Sequence, residues 1–259
     1  MEQEYYIVKN SAGIFDFSLE GKLLVKGERR IDFLQGLVSN DIQLLQENHG
    51  ICAAFLNRFG KIISDCFIYS CKDFLLVFLP FSQKKKILEK LQQEASFSDV
   101  IIEDVTLQYA LLSVQGTSAK NILEAFFQEK INIGDLQFIL KKRKEIEFFI
   151  IKRRRSSVEG YDLFFPAPYY QKVLQELSTQ HYIEKMHSTT YEILRLEAGI
   201  PLFGIDFDET TLLPEIGEDA ISYTKGCYVG QEVIARIKHR AHGITPKRLM
   251  KLQIEAKET

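Results

Sequence analysis

The chain has 259 residues, of which 46% are apolar and 26% charged, and its formal net charge is −2. That composition is soluble-globular, long enough for one large domain or two small ones, and too evenly charged for a protein that coats nucleic acid by overall basicity. No apolar run approaches the ~18 residues of a membrane span; the longest, FLLVFLP from Phe74 to Pro80, has strand length.

The opening MEQEYYIVKN is acidic and polar, without the charged-then-apolar layout of a leader, which predicts a cytoplasmic protein. Cys52, Cys66, Cys71 and Cys227 include no C-x-x-C pair, so reduced thiols are expected rather than a zinc ribbon. Cys52 and Cys66 stand in the apolar runs GICAAFL and ISDCFIY and are expected to be core fillers.

Along the first half, GKLLVKG reads as a strand and ERRIDFLQGLVS as a helix with Ile31, Leu34, Leu37 and Val38 on one face. GICAAFLN, GKIISDCFIYS and DFLLVFLP follow as three strands separated by short turns. SQKKKILEKLQQEA is a helix with Ser82 as its expected N-cap, and DVIIED closes the unit as a strand. The pattern then recurs. YALLSVQGTSAKNILEAFF runs strand, glycine, helix; DLQFILK, EIEFFIIKR and GYDLFFP are strands; PYYQKVLQELSTQ is a helix. The expected fold class is α+β, with two helix-backed antiparallel sheets in pseudo-repeat. The units are placed at 1–105 and 106–187. A third, loop-rich segment at 188–245 begins with the helix TTYEILRLEAG, and PKRLMKLQIEA at 246–259 reads as one further strand.

Five segments carry a family resemblance: GIFDFS at Gly13, FLQGLVSND at Phe33, FGKIISD at Phe59, RLEAGIPLFGIDF at Arg195 and KGCYVGQEVIAR at Lys225. Together they resemble the folate-binding proteins related to the T-protein of glycine cleavage, the aminomethyltransferases. They are most similar to the YgfZ branch, which acts in iron–sulfur cluster maintenance and has been linked to tRNA modification. The ungapped match from Lys225 to Glu232 is the specific one. The resemblance implies a GcvT/YgfZ-like fold and tetrahydrofolate or a one-carbon derivative as cofactor. It also implies iron–sulfur client or assembly proteins as partners of a monomer. The family's C-terminal barrel is expected after about residue 245, where this sequence holds at most its first strand.

Cys227 sits in an open, glycine-flanked loop, unlike a core cysteine. Gly226 and Gly230 permit unusual backbone angles or close approach, and Lys225 and Arg236 are near enough in sequence to favour a thiolate. The competing reading is a glycine-rich turn into the helix EVIARIKH, with Cys227 incidentally buried. Within the matched motif, Tyr228 and Gln231 are carried over as folate-site residues with Lys225 and Arg236. A reduced pterin offers paired N–H donors that a carboxylate accepts. The resemblance points to Asp162 for that carboxylate, with Glu159 as competitor. It places Arg195 near the glutamyl tail and Tyr191 on the folate site. The alternative for their helix is simple packing of Ile193, Leu194 and Leu196. Asp65 is a catalytic candidate or a surface residue; aminomethyltransferases have adjacent aspartates here, and Ser64 replaces one of them.

The run KKRKEIEFFIIKRRR has four cations on each side of a strand. Solvated hairpin ends are the favoured reading, ahead of a patch for polyglutamate, phosphate or RNA. Cys227, His239 and His242 lack a further cysteine to complete a zinc site, so no metal is expected. The expected function is tetrahydrofolate binding in support of iron–sulfur enzymes through the Cys227 loop. The alternatives are an aminomethyltransferase and an RNA-associated adaptor without catalysis.

Overall fold

The computed structural model describes residues 2–96, 98–181, 183–240 and 242–252. Its helices are α1 (Glu2–Asn10), α2 (Arg30–Gln35), α3 (Phe81–Ala95), α4 (Ala119–Phe127), α5 (Tyr170–His181), α6 (Ser188–Ala198), α7 (Leu213–Ile216) and α8 (Gln231–Arg240). Its strands are β1 (Gly13–Asp16), β2 (Gly21–Lys26), β3 (Gly50–Leu56), β4 (Ile62–Ser70), β5 (Phe74–Leu79), β6 (Ile101–Asp104), β7 (Tyr109–Gln115), β8 (Phe138–Arg143), β9 (Ile146–Lys152) and β10 (Gly160–Pro166).

The strands form two antiparallel five-stranded sheets, ordered β3-β4-β5-β2-β6 and β8-β9-β10-β7-β1. The orders correspond strand for strand, with one exchange. The fifth position of the first sheet is filled by β6, which follows α3, whereas that of the second is filled by β1 from the start of the chain. Gly13–Asp16 pairs antiparallel with Leu112–Gln115, so the N-terminal segment is built into the second sheet.

Side chains alternate across a strand, and here both faces are apolar. Outward-facing Leu23, Val25, Cys66, Ile68, Leu75 and Val77 pack under α2 and α3. In the second sheet Leu112, Val114, Phe148, Ile150, Leu163 and Phe165 pack under α4 and α5. The remaining faces meet: Leu24, Tyr69, Leu76 and Phe78 of the first sheet join Leu111, Phe138, Ile151 and Phe164 of the second in one cluster. The result is a helix–sheet–sheet–helix sandwich, the expected α+β class. Each fully buried Leu or Phe contributes about 1.5–3 kcal/mol, so the inter-sheet layer is a major part of the stability.

Several expectations change in detail. The helix expected over 28–39 stops at Gln35, because Gly36 caps it and the chain turns away, although Leu34 and Val38 are buried as expected. Pro80, not Ser82, precedes the first turn of α3, and no side chain caps it; proline's fixed φ suits that position. The α6 helix buries Leu194 but leaves Ile193 and Leu196 exposed. Helix α1 and strand β1 had no clear periodic signal and are additions. No strand occupies residues 246–252, and 253–259 lie outside the described residues. Among the described residues no helix is long and apolar enough to cross a membrane.

Candidate functional site

At the end of the inter-sheet layer where β5 and β9 finish and β2 begins, the apolar packing gives way to a cavity of about 450 Å³. Its position follows from the strand alternation. Asp65 continues the inner face of β4 that Phe67 and Tyr69 occupy, and Cys52 lies diagonally across from it on β3, since Ala54 is opposite Asp65 and Phe67 opposite Cys52. Arg153 and Arg155 continue the inner face of β9 in step with Phe149 and Ile151. Charged residues thus occupy positions where the pattern would put core side chains.

They are held by one another. Arg155 Nε donates to Asp162 Oδ1 and Oδ2 at 2.9 and 2.8 Å, and its Nη2 reaches Glu20 Oε2 at 2.5 Å. Arg153 Nη2 lies 2.9 Å from Glu20 Oε1. The two guanidiniums also lie over aromatic rings, Arg153 over Phe67 at 3.8 Å and Arg155 over Phe17 at 4.0 Å. Burial pushes the Glu20 carboxyl up, but the guanidiniums outweigh it and hold it below its ordinary value. The turn carrying Glu20 is itself fixed by fully buried Lys22, whose ammonium donates to Ser18 O and Glu20 O at 2.8 and 2.9 Å.

Two of the residues that line the cavity each keep one polar atom without a partner. Asp65 Oδ1 and Arg153 Nη1 are buried and have no hydrogen-bond partner. Burial pushes Asp65 up to about 6, more than its own backbone N–H and Arg153 pull it down. Beside it the Cys52 thiol is raised by burial to about 12, which keeps it protonated and unreactive. Tyr191 of α6 completes the wall, packed edge-to-face on Phe17 at 5.0 Å.

The sequence-based candidates therefore separate. Asp65 and Tyr191 line the cavity. Asp162 is adjacent to it but fully engaged by Arg155 and only 1% exposed, so it has no free edge for a pterin. Glu159 is 2.9 Å from the Tyr161 hydroxyl and 3.2 Å from Lys152, in a separate shallow pocket. Arg195 is buried between Glu192 and Asp206, each 2.5 Å away, and borders a different groove of about 930 Å³. With two acidic partners its charge is not available to a glutamyl tail.

The Cys227 loop is organised by Lys225. Its ammonium donates to the carbonyls of Gln35, Val38 and Asn40 at 2.6, 2.8 and 2.9 Å, satisfying orphan acceptors past the end of α2. All three of its donors are used, which removes it as a folate ligand. Gly230 has φ 85°, and a Cβ there would lie 2.5 Å from Asn57 O; only glycine fits against that turn. Gly226 has neither a positive φ nor a close neighbour. Val229 N–H donates to Gly36 O, and with the Lys225 bonds this makes KGCYVGQE and FLQGLVSND two sides of one structural junction; Ser39 Oγ and Asn40 Nδ2 donate to Ala220 O and Asp219 O just before the motif. Tyr228 is buried with Leu56, Ile62 and Ile234. Gln231 begins α8, and Arg236 pairs with Glu232 at the surface. Cys227 is exposed, contrary to incidental burial, and it is not on the wall of the central cavity. The loop expected to complete the folate site thus lies outside the lining of the central cavity, with its thiol exposed.

Sequence reasoning missed Glu20 and Arg153, and it read the basic run as solvated. That reading holds for Lys142 and Lys144 at the β8–β9 turn and for Arg154, all exposed, but Arg153 and Arg155 are 7% and 5% exposed; Lys141, Lys144 and Lys152 have carboxylate partners. Ser64 is fully buried and faces the helices, with its hydroxyl on Asp65 O. Adjacent strand residues point to opposite faces, so the serine takes nothing from the cavity.

Residues 1–222 match the GCVT N-terminal domain. The chain belongs to the GCVT N-terminal domain family. Among its relatives, the aminomethyltransferase of Thermoanaerobacter sp. (strain X514) is 26% identical over 255 residues, covering 94% of this chain and 68% of the relative. The aminomethyltransferase of Pelodictyon phaeoclathratiforme is 28% identical over 245 residues, covering 91% and 67%. The crystal structure of glycine cleavage system aminomethyltransferase T from Bartonella henselae superposes with a TM-score of 0.83 at 18% identity, over 92% of this chain and 66% of that one. The GCVT-family fold is therefore shared, and the chain spans about two-thirds of the length of these relatives.

Proposed function

We infer that this GCVT-family protein binds tetrahydrofolate or a one-carbon derivative in the central cavity, and that it acts in the manner of the YgfZ branch. In that role it supports iron–sulfur enzymes through the exposed Cys227 thiol. The observation that carries the folate reading is a pair of unpartnered polar atoms, Asp65 Oδ1 and Arg153 Nη1, in two residues that line an aromatic-lined cavity. Most buried polar atoms pair with protein or ordered water, so two exceptions in residues of one cavity call for an explanation, and mostly apolar cavities of several hundred Å³ with a few convergent polar groups are typical of small-molecule sites. Phe17, Phe67, Phe78 and Tyr191 offer faces and edges on which a pterin ring packs. Relatives named aminomethyltransferase support the same cofactor.

Cys227 supports the finer reading because the fold spends Lys225, Gly230 and Tyr228 on holding its loop while leaving the thiol open. The second reading, aminomethyl transfer to folate, is favoured by Asp65, a carboxyl raised to about 6 and therefore suited to moving a proton near neutral pH. The RNA-adaptor reading loses support as most of its basic run is paired or buried.

Two assays separate the first two readings. Cys227→Ser is expected to keep the fold and folate affinity and to abolish in-cell support of iron–sulfur enzymes, because serine supplies no thiolate at neutral pH. Incubated with an aminomethylated lipoyl carrier and tetrahydrofolate, the wild type is expected to release little ammonia. Full support of those enzymes by the serine variant, or ammonia release at the rate of an authentic aminomethyltransferase, promotes the second reading.

A further inference from the structure

We propose that Arg153 is a specificity-determining residue of the central cavity: it donates to the 4-oxo group of the bound pterin while Asp65 accepts the ring N–H beside that oxygen. This rests on the folate reading above.

Arg153 is unusual among the buried cations. Arg155 spends its guanidinium on two carboxylates, and Lys22 and Lys225 spend theirs on backbone carbonyls. Arg153 uses Nη2 on Glu20 and lays its guanidinium on Phe67, and these two contacts fix its orientation. They leave Nη1 buried and pointing at no acceptor. On the facing sheet Asp65 is in the same condition, with Oδ1 buried and unpaired. The obvious remedy, an ion pair between the two, is not made: Arg153 pairs with Glu20 alone. Both residues line the same cavity.

A ligand that satisfies both must present an acceptor oxygen next to an N–H donor. A lactam has that pattern, and the pterin ring carries one: its C4 carbonyl is flanked by ring N–H. The opposite polarity is refused. In a 2,4-diamino ring the oxygen is replaced by an amino group, so an N–H donor faces Arg153 Nη1 and the neighbouring ring nitrogen becomes an acceptor facing Asp65. A site built to hydrogen-bond a substrate group discriminates strongly against the analogue that leaves its buried polar atoms unpaired. The Phe67 stack and the Glu20 bond make this a directional reader, because the planar guanidinium cannot rotate to present a different edge.

The test is calorimetric titration of the full chain with tetrahydrofolate and with its 4-amino counterpart, tetrahydroaminopterin. Wild type is expected to prefer the 4-oxo ligand by ~10–100-fold, the worth of one to two buried charge-assisted hydrogen bonds. Arg153→Met is expected to bind the two within about threefold of one another, and Arg153→Lys to keep part of the preference as a point-charge donor. Loss of overall affinity without loss of selectivity in both variants would mark Arg153 as merely structural and overturn the inference. So would equal wild-type affinity for the two ligands, which leaves the folate reading standing. Binding of neither ligand by the wild type overturns that reading and the inference with it. Should Arg153→Met fail to fold, the wild-type ratio and the lysine variant still decide.

Discussion

Arg155→Met is expected to destabilise the protein by about 3–5 kcal/mol, measured by urea unfolding at pH 7. The side chain is 5% exposed and satisfies both oxygens of Asp162, itself 1% exposed, together with one oxygen of Glu20. Methionine fills the volume but leaves Asp162 as an uncompensated buried charge, the situation that costs most when an ion pair is broken. Removing both partners is a different case. Arg155→Met combined with Asp162→Leu should recover part of the loss, since two apolar side chains replace that pair and Glu20, which loses Arg155, keeps its bond to Arg153. A single-variant loss below about 1 kcal/mol would show that the pair does not hold this end of the sandwich together.

Asp65→Asn should act in the opposite direction. The carboxyl rises from 3.8 unfolded to about 6 folded because burial disfavours its charge. Below about pH 4 both states bind the proton and stability is level. Between about 4 and 6 the folded state holds the proton and the unfolded state does not, so stability falls as pH rises; above 6 it is level again at the lower value. At about 1.4 kcal/mol per pH unit the loss approaches 3 kcal/mol. Asparagine carries no charge to desolvate, so the variant should be more stable than wild type at pH 7 by about 2–3 kcal/mol and show no such slope. The same substitution should weaken tetrahydrofolate binding, because the neutral amide is a poorer acceptor for the ring N–H than an ionised carboxylate. A site that gains stability when its polar group is neutralised, and loses ligand with it, is maintained for function. Thermal unfolding from pH 4 to 8 measures the first effect, and an unchanged or lowered midpoint at pH 7 would contradict it.

These two residues also show what could be read in advance. The two helix-backed antiparallel sheets were legible in the order of elements, which corresponds between halves even where residues differ; their face-to-face packing was not, although most strands carry apolar residues on both faces. The β1 exchange was not legible: GIFD is four residues long, and nothing local says which sheet it joins. Of the candidate site, Asp65 and Tyr191 came from motif matches. The better signal was overlooked. In ISDCFIYS and FFIIKRRR, Asp65, Arg153 and Arg155 fall in the same alternation as Phe67, Tyr69, Phe149 and Ile151, and a charge in step with core positions marks either strain or a site. Glu20 precedes its strand in a turn and carried no such signal. Its role comes from a tertiary pairing with the end of β9. Lys225 and Cys227 were reversed for a related reason: nearness in sequence suggested that the lysine activates the thiol, whereas the chain turns the ammonium into the carbonyls past α2 and the thiol outward.

The measurement that bears most directly on the central claim is a crystal structure of the protein with tetrahydrofolate bound. The pterin should lie in the 450 Å³ cavity between Asp65 and Arg153, its ring against Phe67 and Tyr191, and both unpartnered atoms should acquire ligand partners. A ligand seated instead in the groove beside Arg195, or a central cavity that stays empty while folate binds elsewhere, would contradict the account.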